Sequence, residues 1–223
     1  MEFGVLFDMD GVLVDSGPIH REAWKILSKE NGVEMDDEFF SRTFGMRNDQ
    51  ILKLLFGEGI SKELIERLGH RKEEIYRDLA RTHLKPARGA KSLVEMLYKR
   101  GVPMAVASSG PKKNVELMLS VTGLEDMIKE FVSAEDVSKG KPDPEVFFKA
   151  GKKINVSPEK CIVFEDAPVG IEAGKKAGMK VVGVVGTRPP QDLKSADVIV
   201  YSLEKISFDD LFYLVYPSLR EEH

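Results

Sequence analysis

The stretch FGVLFDMDG, residues 3–11, decides the fold. Its first five residues are all apolar, so neither face of the extended chain is polar, which predicts a strand buried on both faces, as in a parallel sheet. Two aspartates, Asp8 and Asp10, stand where the apolar run gives way to glycine. Side chains two residues apart point the same way in an extended chain, at about 7 Å spacing. That gap can hold a metal ion or a reacting oxygen.

Similar short apolar runs recur along the chain, at VPMAVA (102–107), CIVF (161–164), KVVGVV (180–185) and DVIV (197–200). Apolar residues at helical spacing lie between them, for example Ala90, Leu93, Val94 and Leu97. Strands that alternate with helices predict an α/β fold, a Rossmann-like parallel sheet with helices on both faces.

Residues 16–83 interrupt this alternation. They contain three helical patterns and no convincing strand, and Ser61 is a suitable N-cap for the third helix. We therefore predict a small all-helical cap domain at 16–83, inserted into an α/β catalytic core domain of residues 1–15 and 84–223.

Composition narrows the functional classes. The net charge of −4 argues against binding nucleic acid or a membrane surface by bulk electrostatics, and no apolar run approaches the roughly 20 residues that cross a bilayer. The single cysteine, Cys161, lies in an apolar run and is interpreted as an inert buried thiol. We expect a cytoplasmic monomer that acts on a small molecule.

Polar residues follow three of the apolar runs. Asp8 and Asp10 follow the first, Ser108 and Ser109 the second, and Glu165 and Asp166 the run at 161–164. Ligands of an open parallel sheet bind at the carboxyl ends of its strands, so these groups are predicted to converge. Gathered carboxylates repel one another, and a hard cation such as Mg²⁺ relieves that repulsion. The hydroxyl of Ser108 and the ammonium of Lys141, in KGKPDPEVF, are suitable phosphate partners.

Four of these segments, DMDG, VASSG, GKPDP and FEDAPVGIEAGKKAGM, resemble in order the four motifs of the haloacid dehalogenase superfamily. The match spans nearly the whole chain. The second aspartate of DMDG resembles the phosphatase and phosphomutase branch, and the helical insert resembles the small cap of the family.

The resemblance implies a role for each motif residue. Asp8 resembles the nucleophile that becomes an aspartyl phosphate, and Asp10 the general acid and base. Asp8, the carbonyl of Asp10, and Asp166 resemble the ligands of Mg²⁺, or of Mn²⁺ or Co²⁺, with Glu165 close by or bound through water. Ser108, Ser109 and Lys141 resemble the phosphate-binding groups.

In the cap, His20, Arg47 and Lys72 are similar to substrate residues of the β-phosphoglucomutase branch, although a solvated surface position is an equal alternative for Arg47. The predicted function is a Mg²⁺-dependent phosphatase for small phosphorylated sugars. The alternatives are a β-phosphoglucomutase, which moves a phosphoryl group between C1 and C6 of glucose, and a non-enzymatic phospho-receiver or binding module.

Overall fold

A computed structural model describes residues 3–222 and divides the polypeptide into two compact units. One unit contains the chain up to Asp15 and from Lys85 onward, and the other is Ser16–Leu84. The roles of catalytic core and cap for these units stay predictions.

The first unit is built on a parallel sheet. Among the described residues the sheet has six strands, in the order β3-β2-β1-β4-β5-β6. Their bounds are β1 Gly4–Phe7, β2 Met104–Ala107, β3 Glu130–Val132, β4 Cys161–Glu165, β5 Lys180–Val184 and β6 Val198–Val200. Val5, Leu6 and Phe7 are fully buried, as a strand covered on both faces requires. The predicted α/β fold is confirmed.

The strand order reverses direction between β1 and β4. The chain winds from β1 to β2 and β3 on one side, and from β4 to β5 and β6 on the other. Phe7 pairs with Phe164 across this junction and with Val106 on the other edge. The register therefore brings Asp8 level with Glu165 and with Ala107, at the switch point where open α/β sheets bind ligands.

Helices cover the sheet of the first unit. Their bounds are α5 Ala90–Lys99, α6 Lys112–Thr122, α7 Glu145–Lys153, α8 Pro168–Lys176 and α9 Phe208–Val215, numbered after four helices in the other unit. Val146 and Phe147 of α7 and Ile171 of α8 pack in one buried cluster with Leu6 and Val163 of the sheet. Cys161 belongs to this cluster, which confirms that its thiol is buried, and burial raises the pKa of the thiol to about 12.

The second unit is entirely helical over Ser16–Leu84. Its helices are α1 Gly17–Glu30, α2 Asp37–Thr43, α3 Asn48–Phe56 and α4 Lys62–His83. The predicted cap of α4 is confirmed, since the Ser61 hydroxyl accepts a hydrogen bond from the Leu64 amide at 3.2 Å. The α2 helix was not predicted. Asp36 caps it by accepting from the Phe39 amide at 2.7 Å.

Across residues 3–222 the structure contains no helix that is both long and apolar enough to span a membrane.

Candidate active site

Asp8 lies directly after β1, at the switch point of the sheet. Its amide donates to the Phe164 carbonyl at 2.9 Å, which continues the pairing with β4 beyond the last residue of β1. The chain then closes a compact turn, in which the amides of Leu13 and Val14 donate to the Met9 carbonyl at 3.0 and 3.2 Å. Asp8 is only 9% exposed, and Asp10, inside the turn, is half-buried.

Lys141 connects the carboxylates of two neighbouring strands. Its ammonium donates to Asp8 Oδ1 at 2.5 Å, to Glu165 Oε1 at 2.6 Å and to the Ala107 carbonyl at 3.1 Å. These three acceptors use all three N–H donors of the ammonium, and the Lys141 side chain is only 6% exposed to solvent. Burial lowers the pKa of Lys141, but the charges of Asp8 and Glu165 outweigh it and hold that pKa well above its usual range.

Glu165 is the last residue of β4, Asp166 follows it, and the backbone between β4 and α8 holds the Glu165 carboxylate. The amides of Asp166 and Ala167 both donate to Glu165 Oε2 at 3.0 Å. These two amides belong to the residues that immediately precede α8. Glu165 is thereby fixed on one oxygen by the backbone and on the other by Lys141.

Asp166 is held by a residue that the sequence motifs did not single out. The hydroxyl of Thr187, in the loop after β5, donates to Asp166 Oδ2. Gly11 is in close contact with the same carboxylate, because a Cβ at Gly11 would overlap Asp166 Oδ2. Thr187 lies after β5 as Ser108 lies after β2, so its position beyond a strand end is the signal that could have identified it.

One carboxylate oxygen from each of Asp8, Glu165 and Asp166 lies within 4.8 Å of the others. Burial raises the pKa of Asp8 well above its ordinary value, and repulsion from Glu165 and Asp166 adds to the effect. Burial and the charge of Glu165 raise the pKa of Asp166 to about 7, even though Thr187 donates to it. An all-oxygen set with this excess of negative charge fits a hard divalent cation, so the group could hold a metal ion.

The predicted phosphate partners at the end of β2 differ in exposure. Ser108 is buried, and its Oγ accepts from the Gly110 amide at 2.9 Å. A Cβ at Gly110 would lie 3.2 Å from Ser108 Oγ and 3.5 Å from the Met9 side chain, so this turn adjoins the DMDG turn. Ser109 is exposed. The structure therefore places Ser108 beside the turn that carries Asp8 and Asp10, whereas among residues 3–222 no contact of the Ser109 side chain with the carboxylates is found.

Gly170 in α8 is required by the position of Glu165. A Cβ there would overlap the Glu165 carboxyl group, so Gly170→Ala must displace Glu165 or shift α8. We expect a loss of about 1–3 kcal/mol in the free energy of unfolding, the usual cost of overpacking. Thermal unfolding followed by circular dichroism measures it.

The matched control is Gly69→Ala in α4, where a Cβ would meet nothing within 4 Å. That change should be neutral or stabilise by up to about 1 kcal/mol, since alanine is the better helix former. Equal effects of the two substitutions would contradict the packing argument.

Two of the three predicted cap residues form a buried cluster within Ser16–Leu84. The Lys72 ammonium lies 2.8 Å from His20 Nδ1 and 2.8 Å from Glu73 Oε1, and Asn48 Nδ2 donates to the same Glu73 oxygen at 2.7 Å. Because an ammonium only donates, His20 Nδ1 is the acceptor in this contact. Arg47 is not part of this cluster. Its side chain is 75% exposed and pairs with Asp49 at 3.0 Å.

Glu73 makes this cluster sensitive to pH. Burial raises the pKa of Glu73, but the charge of Lys72 and the hydrogen bonds from Lys72 and Asn48 outweigh it, and the pKa is lowered from 4.5 to about 2. A lowered carboxyl pKa stabilises the fold above pH 4.5, and that stabilisation is lost as the pH falls towards 2.

Glu73→Gln should therefore destabilise the helical unit at pH 7 by up to about 3 kcal/mol, with the difference from wild type closing below pH 4. Denaturant unfolding as a function of pH measures it. Glu74→Gln is the control, because Glu74 is 58% exposed and pairs with Arg71 only at 3.6 Å. A deficit for Glu73→Gln that is independent of pH would contradict the ionic interpretation.

Comparison with known proteins places the chain in a family. The family of Haloacid dehalogenase-like hydrolases matches residues 5–184. Validoxylamine A 7'-phosphate phosphatase from Streptomyces hygroscopicus subsp. limoneus is 35% identical over 208 residues, 90% of this chain and 94% of that protein. A phosphorylated carbohydrates phosphatase from Thermotoga maritima is 32% identical over 182 residues, 81% of this chain and 84% of that protein.

Among solved structures, β-phosphoglucomutase from Clostridium difficile superposes with a TM-score of 0.85 at 26% identity, covering 99% of this chain and 100% of that one. The match to a hydrolase family and the phosphatase relatives confirm the prediction that the protein is an enzyme. The chain belongs to the haloacid dehalogenase-like hydrolases.

Proposed function

We propose that this protein is a Mg²⁺-dependent phosphatase that hydrolyses small phosphorylated sugars through an aspartyl phosphate on Asp8. The observation that carries the proposal is the contact of the Lys141 ammonium with both Asp8 and Glu165, beside Asp166, at the switch point of the sheet. The phosphatase relatives from Streptomyces and Thermotoga support the reaction class and a small phosphorylated substrate.

Asp8 is the nucleophile. One of its carboxylate oxygens attacks phosphorus, the bond from phosphorus to the ester oxygen breaks, and the phosphoryl group is transferred to Asp8. Lys141 neutralises part of the charge of Asp8 and of the phosphoryl oxygens, so two anions can approach each other. The Ser108 hydroxyl donates to a phosphoryl oxygen.

Asp10 carries the protons. As a carboxylic acid it protonates the departing sugar oxygen, and as a carboxylate it then accepts a proton from the water that attacks the aspartyl phosphate. Orthophosphate leaves, and Asp8 and the protonated Asp10 are restored. Asp10 is half-buried, and it lies close enough to Asp8 and Asp166 for its charge to act on both carboxyl groups.

Asp8, Asp166 and the backbone carbonyl of Asp10 would hold Mg²⁺, with Glu165 close by. When bound, the ion supplies positive charge that neutralises the carboxylates and polarises the phosphoryl group. Thr187 and Gly11 orient the Asp166 carboxylate for this role.

The experiment is release of orthophosphate from a panel of phosphorylated metabolites, with Mg²⁺, Mn²⁺ or Co²⁺ and with EDTA. We expect release from hexose and pentose phosphates with Mg²⁺ and its loss in EDTA. Release that EDTA does not affect would contradict the metal requirement. Absence of release from the whole panel would contradict the phosphatase proposal.

A β-phosphoglucomutase is the second candidate, because the mutase from Clostridium difficile superposes over nearly the full length of the chain. It is favoured if only β-glucose 1-phosphate turns over, and only with a sugar bisphosphate primer. His20 and Lys72 are proposed to contact substrate in either case. Arg47, with its exposed side chain, is the cap residue available for a distal phosphate.

We also propose that the protein acts as a monomer of 25.0 kDa on a small molecule and binds no nucleic acid. Light scattering, and a gel-shift assay with duplex DNA and RNA, test these two statements.

A further inference from the structure

We propose that Glu145 is a positioning residue that holds the segment carrying Lys141, so that the ammonium of Lys141 stays between Asp8 and Glu165. This inference rests on the proposed function in one respect only, that Lys141 binds the phosphoryl group. Glu145 touches neither substrate nor reacting atoms in this scheme, and it acts through the backbone.

Glu145 begins α7, and its carboxylate binds the chain that precedes Lys141. Glu145 Oε2 accepts from the Ser138 amide at 2.9 Å, the Ser138 hydroxyl at 2.7 Å and the Lys139 amide at 2.9 Å. The other oxygen, Oε1, accepts from the Lys149 ammonium at 2.6 Å. Four donors thus converge on one side chain that is 21% exposed.

Lys149, one turn further along α7, adds a second attachment. Its ammonium donates to the Asp136 carbonyl at 2.7 Å as well as to Glu145. Asp136 is itself fixed, because its carboxylate accepts from the amide and hydroxyl of Ser133 at 2.8 and 2.7 Å. The backbone from 133 to 139 is therefore attached to α7 before the chain reaches Lys141.

The segment is also closed on its other side. The Glu145 amide donates to Asp143 Oδ1 at 3.0 Å, and the Asp143 amide donates to the Gly140 carbonyl at 3.0 Å. Residues 138–145 thus form a loop with Glu145 at its base and Lys141 in its middle. The Lys141 ammonium lies 5.0 Å from the centre of the Phe147 ring, so the lysine crosses the same helix that Glu145 begins.

This loop needs a tether for a physical reason. A lysine side chain has four rotatable bonds and loses much rotamer freedom on burial, and the loop that carries Lys141 has no regular secondary structure. In an ordinary exposed glutamate–lysine pair on a helix, the glutamate contacts only the lysine side chain. Glu145 also accepts hydrogen bonds from backbone amides outside its helix. The hydrogen bonds from Lys149, Ser138 and Lys139 lower the pKa of Glu145 to about 2, so its carboxylate is ionised at neutral pH.

The first test measures the protection of Lys141 without reference to activity. The wild type, Glu145→Ala and Glu145→Gln are treated with acetic anhydride, and acetylation of Lys141 is followed by mass spectrometry. We expect acetylation to be at least about tenfold faster in Glu145→Ala, because only unprotonated, accessible amines react. Glu145→Gln retains one acceptor oxygen, so the rate of Lys141 acetylation in this variant should lie between those of wild type and Glu145→Ala.

The matched control is Glu159→Ala. Like Glu145, Glu159 accepts a hydrogen bond from a serine hydroxyl, that of Ser157 at 2.6 Å, and its pKa is lowered. Unlike Glu145, it lies outside the loop that carries Lys141. Lys141 acetylation should match wild type in this variant. If Glu145→Ala proves unstable, Glu145→Gln carries the test, and equal Lys141 protection in Glu145→Gln and wild type then overturns the proposal.

The second test measures competitive inhibition by orthophosphate. Displacement of Lys141 should raise the inhibition constant about tenfold in Glu145→Ala, with partial recovery in Glu145→Gln, since misplacement of about 1 Å costs a comparable factor or more. A folded Glu145→Ala protein with wild-type Lys141 protection and wild-type orthophosphate inhibition overturns the inference. If no phosphate ester is hydrolysed, the proposed function fails while the acetylation result still decides the role of Glu145.

Discussion

Replacement of Asp8 by asparagine should lower the turnover of a phosphomonoester by about 10⁴-fold or more, the scale seen when a covalent nucleophile is removed. The amide has no charge with which to attack phosphorus, but it has nearly the shape of the carboxylate and can still accept from Lys141. Burial raises the pKa of Asp8, so removal of its charge also relieves a buried carboxylate next to Glu165 and Asp166. The melting temperature should therefore stay at or above that of wild type.

The measurement is steady-state release of orthophosphate, together with mass spectrometry of acid-quenched enzyme. Wild type should show an adduct of one phosphoryl group on the peptide that contains Asp8, and Asp8→Asn should not. Asp192→Asn, at an exposed aspartate of the same unit, is the control and should retain full activity. Turnover by Asp8→Asn within tenfold of wild type would refute a covalent role for Asp8.

Replacement of Lys141 by methionine should have the next largest effect. Methionine keeps much of the length of the side chain and removes its charge, so the phosphoryl group loses its cationic partner. We expect kcat/KM to fall by about 10²–10³-fold, as when one preorganised donor is removed. The substitution also leaves the Asp8 and Glu165 carboxylates buried without their cation, which should cost about 3–5 kcal/mol of folding free energy in EDTA at pH 8.

The loss of folding free energy in Lys141→Met should depend on pH, and the directions in which the pKa values of Lys141 and Asp8 are shifted determine how. In wild type the raised pKa of Lys141 means that the stabilisation by its ammonium is fully present below pH 10.5. Without the Lys141 ammonium, the already raised pKa of Asp8 rises further. A buried carboxyl group with a raised pKa destabilises the fold when it is ionised, so protonation of Asp8 at lower pH restores stability. The difference in melting temperature between Lys141→Met and wild type should shrink from pH 8 to pH 5.

Lys139→Met is the matched control, because Lys139 lies in the same loop with its side chain 75% exposed. It should change neither kcat/KM nor the melting temperature appreciably. A stability deficit of Lys141→Met that stays constant from pH 8 to pH 5 would show that the lysine acts by packing rather than by charge.

The sheet was largely predictable, because fully apolar runs such as residues 3–7 leave no polar face to point at solvent. The edge strand β3 was missed, since Glu130–Val132 is only three residues long and its first two are half-buried. The α2 helix was missed because of its seven residues only Thr43 is buried, so it lacks an apolar stripe. In α3, Leu54 fits the helical pattern but is 51% exposed, which spacing alone does not reveal.

The site was predictable in its residue types but not in its contacts. The order of the motifs indicated that Asp8, Glu165, Asp166 and Lys141 meet, whereas the pairing of Lys141 with Glu165 depends on the register of β1 against β4. Thr187 and Glu145 escaped attention because threonine in a loop and glutamate at a helix start are ordinary by composition. Only coordinates show what their oxygens bind.

The pairing of β1 with β4 has a consequence for synthesis of the protein. The strand β1 is made well before its partner on one edge, Cys161–Glu165, because β2, β3 and the intervening helices lie between the two strands in the sequence. Until then the nascent chain carries a wholly apolar strand with an unsatisfied edge, which is a site for mispairing or chaperone capture. Fragments that end before residue 161 should for the same reason be prone to aggregate.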